Sequence, residues 1–302
     1  MEILNKKVKS KATNKEGIIT GVVKGKLLVN FESSGSVPVP LNALDMPDDL
    51  KEAVLDELGK SKVTAKKSDS SNKVSLGTKN IAIKCIYCNG GASETQIGYD
   101  GLCSEDIIKY NIEKKASECS DPENLCYKYI NGLISKEEYL ANDFHCYECR
   151  MFKDWKAYAG QHKTEGRHGE KMSFKNVAPR SICVLTTILP YEEQEDRIIV
   201  GLFYINETEE GDFYKEGYVK ADPNYRFKFT LEEAKQLNFW DFYENPNSPE
   251  TKKWGTGLHR YLSDEQAANI LKAAVKVKYD EVEKKKLQEL LDLFCQIKNI
   301  SK

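Results

Sequence analysis

Seven cysteines of nine (Cys85, Cys88, Cys103, Cys119, Cys126, Cys146 and Cys149) crowd one stretch of a 302-residue chain, while Cys183 and Cys295 stand apart. Thiols at this density commit a segment either to crosslinks or to ligating a metal. The opening residues, Met1 to Lys7, carry no apolar run of the secretory type. A reducing, cytoplasmic setting is therefore expected, and with it metal ligation rather than disulfides. The chain is 40% hydrophobic and 30% charged, enough apolar material for packed cores. It has no run near the ~18 apolar residues of a membrane span. A net charge of −2 argues against a uniformly basic molecule, so any binding of nucleic acid must be confined to one face.

The sharpest short motif is Cys85-Ile86-Tyr87-Cys88-Asn89-Gly90-Gly91. A CxxC turn aims two thiolates at one point, and the glycines behind it allow the backbone to fold under an ion. This is the usual first half of a structural zinc site. Cys119 and Cys126 are the expected second half, with Cys103 the competitor for either place. The same thiols could instead hold an iron–sulfur cluster. No strand–CxxC–helix arrangement of the redox type is evident.

A second site is expected at Cys146, Cys149, His162 and His168. The pattern Cys-x2-Cys-x12-His-x5-His resembles the C2H2 zinc finger over residues 144–168, with Phe144 two before the first cysteine. The resemblance implies a helix carrying both histidines. It is imperfect inside: Lys153 and Ala159 occupy the places of the finger's aromatic and leucine, and Gly160 weakens the helix.

The chain divides by pattern into four parts, an α+β multidomain arrangement. Residues 1–60 are expected to form a small SH3-like β-barrel. Gly17–Val23 and Lys26–Phe31 make a hairpin about Lys24-Gly25, Gly35–Pro40 makes an edge strand because its prolines cannot donate, and a helix covers Asp48–Leu58. Residues 61–80 are a Ser/Lys-rich flexible basic linker. Residues 81–174 form a Cys-rich, zinc-binding helical module. Its helices open near Ser104, Asp121 and Ser135, and a fourth follows Cys149 with Phe152, Trp155 and Tyr158 on one side. Residues 175–302 form an α+β domain, PUA-like in outline, ending in helices. Its strands are expected at Ser181–Leu189, Arg197–Ile205 and Tyr225–Phe229. Ser263-Asp264-Glu265-Gln266 reads as a capping box, and Leu287, Leu290, Leu291, Phe294 and Ile297 form the stripe of a last helix.

Between residues 150 and 180 basic residues outnumber acidic ones and alternate with aromatics. Lys153, Lys156, Arg167 and Lys171 are the expected phosphate contacts, and Trp240 and Trp254 the expected rings for a base. The chain has no HExxH, GxSxG or Walker A motif, and His168-Gly169-Glu170 lacks the following PCxxC of zinc deaminases.

The arrangement also resembles a family of uncharacterised prokaryotic proteins. The likeness rests on the CxYCN motif, on Leu185-Thr186-Thr187, on Phe239-Trp240-Asp241-Phe242-Tyr243, and on Trp254-Gly255-Thr256-Gly257 with Arg260-Tyr261. It implies no activity and no site residues. The expectation from the residues is a non-catalytic, zinc-stabilised protein that binds nucleic acid. The alternatives are a protein-interaction adaptor, using the SH3-like module or the last helix, and a nuclease with an unidentified active site.

Overall fold

The computed structural model describes residues 3–11, 13–23, 26–31, 35–39, 41–47, 49–51, 53–54, 79–143, 145–162, 169–211, 216–255 and 257–300. It is a mixed α+β protein with two β-sheets and several helices. The chain divides into two compact units, Met1–Val74 and Ser75–Lys302.

The first unit holds five antiparallel strands: β1 (Lys7–Ser10), β2 (Glu16–Val23), β3 (Lys26–Phe31), β4 (Gly35–Val39) and β5 (Leu44–Asp45). They are ordered β4-β3-β2-β1-β5. Alternation along β3 sets the core: Leu27, Val29 and Phe31 are buried together with Val8, Ile19 and Leu44. β4 lies on the edge, where its proline costs no ladder bond. The hairpin turn at Lys24-Gly25 and most of the linker lie outside the described residues. So does much of the helix expected at 48–58, of which the Lys51 N–H bonds the Pro47 carbonyl and Val54 is buried.

The second unit is built on a six-stranded sheet of β6 (Asn80–Lys84), β7 (Lys156–Tyr158), β8 (Ile182–Thr187), β9 (Ile198–Glu209), β10 (Tyr218–Lys228) and β11 (His259–Leu262), ordered β11-β6-β8-β9-β10-β7. β6 and β8 run parallel and the other neighbours antiparallel. Every residue of β8 is buried, as befits a central strand covered on both faces. Asn80 anchors the entry of β6. Its Oδ1 accepts from the Ile182 N–H (2.8 Å) and its Nδ2 donates to Asp264 (2.7 Å).

A parallel pair needs a crossover, and the stretch between β6 and β8 supplies one. It carries all seven clustered cysteines and, among the described residues, four α-helices: α1 (Glu105–Glu113), α2 (Leu125–Ile130), α3 (Lys136–Leu140) and α4 (Met151–Asp154). Ser104, Asn124 and Ser135 cap the first three by accepting from backbone N–H groups. Helix α5 (Leu231–Lys235) lies between β10 and β11, and α6 (Asp264–Val277), opened by the Ser263/Gln266 capping box, and α7 (Glu281–Lys298) follow β11. The α7 stripe of Leu287, Leu290, Leu291 and Phe294 is buried in the main core.

Two local outcomes differ from the sequence pattern. The boundary expected at 174 does not separate two sheets, because β6 and β7 from the earlier stretch pair with strands from the later one around one continuous core. The helix expected after Cys149 stops at Asp154. Trp155 takes the left-handed conformation (φ 49°), and Lys156–Tyr158 then joins the sheet as edge strand β7. Ala157 and Ala159 are buried while Lys156 and Tyr158 are half-buried, a period of two that outweighs the three-residue aromatic spacing.

A candidate metal centre

Cys85 leaves the carboxyl end of β6 with its N–H bonded to the Thr186 carbonyl of β8 (2.8 Å). The chain then turns back on itself. The Tyr99 N–H reaches the Cys88 carbonyl (3.2 Å), the Asp100 N–H the Gly90 carbonyl (2.9 Å) and the Gly101 N–H the Cys149 carbonyl (2.8 Å). Two glycines make this close approach feasible. A Cβ on Gly90 would sit 1.9 Å from the Gly101 oxygen, and one on Gly98 would sit 2.1 Å from the Cys88 oxygen. The loop thus lays Cys88 and Cys103 against Cys149.

The sulfurs of Cys88, Cys103 and Cys149 all lie within 4.8 Å of one another, close enough to bind a metal ion. In a tetrahedron with metal–sulfur bonds of about 2.3 Å, neighbouring sulfurs stand roughly 3.8 Å apart, so the spacing suits a thiolate site. Cys146 Sγ lies 3.1 Å from Cys149 Sγ, though outside the set in which every sulfur is within 4.8 Å of the others. The Gly90 N–H points at Cys88 Sγ (3.4 Å), an outer hydrogen bond of the kind that orients a ligating thiolate. The electrostatics agree: the Cys103, Cys146 and Cys88 thiols donate to Cys149 and hold it far below the ordinary thiol range. That same bond to Cys149 pushes Cys103 and Cys146 up.

The structure distributes the sequence-predicted residues as follows. Cys88 and Cys149, assigned to separate sites by spacing, come together, with Cys103 rather than Cys119 or Cys126 beside them. Cys85 turns its thiol toward Met151 Sδ (3.5 Å), and burial pushes its pKa up. Cys126 sits in a satellite core with Ile108 and Tyr139, its sulfur 3.6 Å from the Tyr139 hydroxyl. Cys119 is half-buried and outside the three-thiol group. His162 follows β7 with its N–H on the Glu170 carbonyl (2.8 Å), and His168 and Arg167 lie outside the described residues. Lys153 is exposed. Lys156 stands over the Tyr218 ring (4.3 Å), and Lys171 is half-buried.

The two tryptophans are interior. Trp240 donates Nε1 to the Gln194 carbonyl (2.6 Å), and Trp254 donates its own to the Gly257 carbonyl (3.0 Å). The Trp254 ring carries Arg197 (4.9 Å) and Arg260 (5.2 Å) on its faces. Arg197 is only 2% exposed. Burying a cation without a counter-ion costs several kcal/mol, and an aromatic face returns about 2.

No family model, no curated protein sequence and no solved structure matches this chain. No helix among the described residues is long and apolar enough to cross a membrane.

Proposed function

We propose that this is a zinc-stabilised protein in which Cys88, Cys103, Cys146 and Cys149 hold one structural zinc. The convergence of three thiols from three separate segments carries this reading. Thiolate donors, a compact spacing and amide support favour zinc over the harder cations that prefer oxygen. Four protein ligands would leave no open position for water, which favours a structural over a hydrolytic role. Zinc here would pin the β6 exit loop, the segment before α1 and the segment before α4 to one another, and with them the crossover that a parallel pair requires. Dialysis of the purified protein against a strong chelator should release one zinc per chain and lower the melting temperature of the second unit. Release of zinc with unchanged melting would contradict a structural role.

Nucleic acid is the partner we propose for this zinc-held unit. Lys153 and Lys156 on one short segment support it, as does Lys171, bridged through its backbone to Gln161 after β7. The adaptor alternative has less support from the helix stripe, since Leu287, Leu290, Leu291 and Phe294 are buried and only Ile297 of that stripe is exposed. For the nuclease alternative, the described residues contain no three-carboxylate group of metal-binding geometry.

A further inference from the structure

A cavity of about 510 Å³ opens beyond the carboxyl ends of β6 and β8, where parallel strands commonly present ligand sites. Its size falls within the range of small-molecule pockets. Buried polar atoms with no hydrogen-bond partner mark its wall. Arg197 Nε is an unmatched donor, and Glu216 Oε1 and Gln194 Oε1 are unmatched acceptors. Arg197 is almost wholly buried; among the described residues its side chain donates only from Nη1 to the Thr186 hydroxyl (3.3 Å), and no carboxylate pairs with it. Lys84, half-buried on the same wall, also has no ion-pair partner there. Burial, with the Arg197 charge adding, lowers the Lys84 pKa.

Buried polar groups are matched as a rule, so a set of unmatched ones on residues that line a single cavity points to a ligand that completes them. The donors call for an oxyanion. The acceptor at Glu216, whose other oxygen takes the Tyr147 hydroxyl, calls for an N–H donor. Tyr147 and Tyr158, stacked at 4.0 Å, add aromatic surface to the same wall.

We infer that this cavity binds a nucleotide, with its phosphate on Arg197 and Lys84 and an N–H edge of its base on Glu216. The inference goes beyond backbone attraction by surface lysines, and it does not depend on the metal at Cys149. A free nucleotide and one residue of a single strand share this chemistry, and the test separates the two sources.

Calorimetric titration of the full-length protein with AMP, CMP, GMP and UMP, with their nucleosides and with inorganic phosphate, tests the assignment. At least one monophosphate should bind at least tenfold more tightly than both its nucleoside and phosphate. Lys84→Gln, at a half-exposed position that tolerates change, should weaken that nucleotide at least tenfold and leave the melting temperature in place. Glu216→Gln should reduce the preference among bases. A single-stranded oligonucleotide that competes, and binds more tightly than the monomer, identifies the strand as source. Failure to compete identifies the free nucleotide. The assignment is overturned if none of the four monophosphates binds at millimolar concentration. It is equally overturned if binding matches that of inorganic phosphate, or if Lys84→Gln folds normally and binds unchanged.

Discussion

The sulfurs of Cys88 and Cys149 lie within 4.8 Å of each other, although one leaves the first strand of the six-stranded sheet and the other precedes a helix far along the crossover. Such a contact between distant segments is costly in chain entropy, and a shared metal offsets that cost.

The cysteines should therefore divide into two classes. Cys88→Ser, Cys103→Ser and Cys149→Ser should each lose the metal and unfold the crossover, since structural zinc contributes on the order of 10 kcal/mol in small peptides. Cys85→Ala and Cys126→Ala should keep the metal and cost about 1–3 kcal/mol, as expected for thiols packed in apolar surroundings. Metal content and thermal melting of the five variants check this. Metal loss in Cys85→Ala, with retention in Cys103→Ser, would reverse the assignment.

A buried ion pair fixes the end of α6. Lys278 Nζ lies 3.2 Å from Glu233 and 2.6 Å from Glu283, and it donates to the Lys228 carbonyl (2.8 Å). Lys278→Met leaves the buried Glu233 carboxylate without its cation and should cost about 3–5 kcal/mol. Glu283→Ala removes the more exposed partner and should cost less than about 1 kcal/mol. Denaturant unfolding of both variants measures the difference.

The strand at 182–187, the first part of the strand at 198–209 (read as ending at Ile205), the caps at Ser104, Ser135 and Ser263 and the edge position of the proline-bearing strand were legible, because each depends on local pattern. Ile81–Ile83 was not read as a strand. Three apolar residues carry no period of their own, and only pairing with Ile182–Thr187 on one side and His259–Leu262 on the other makes them central. The site was half legible for the same reason. CxxC spacing marks thiols as ligand candidates, but which thiols meet depends on the glycine-enabled fold of 88–103 onto Cys149. Trp240, notable in sequence for its aromatic run, and Trp254, notable for the glycines that follow it, are interior, where their indole N–H groups find backbone carbonyls. Arg197 carried no signal in a run that reads simply as a strand start; its burial without a counter-ion emerges only in three dimensions.

Acid should destabilise the second unit partly through His259. Burial, with Arg260 adding, holds this imidazole below its ordinary value, so the folded state binds fewer protons than the unfolded state. The stability it contributes is complete above about pH 6.5 and declines as pH falls through that range. The melting temperature should drop between pH 7 and 5.5, and His259→Phe should flatten that segment of the profile. An identical slope in the variant would show that other groups set it.

Binding to duplex DNA, if mediated by the surface cations, should weaken with salt at a log–log slope near −0.9 per phosphate contacted. The triple change Lys153→Ala, Lys156→Ala and Lys171→Ala should shrink the slope by about 2–3 and weaken all sequences alike. A salt-independent affinity, or none at low ionic strength, would remove nucleic acid as the partner.

Zinc-edge X-ray absorption on the purified protein, with elemental analysis of the same sample, tests the central claim most directly. One zinc per chain in a shell of four sulfurs at about 2.3 Å is the predicted result. A shell containing two imidazole nitrogens, stoichiometric iron in place of zinc, or no metal at all would contradict the centre formed by Cys88, Cys103, Cys146 and Cys149.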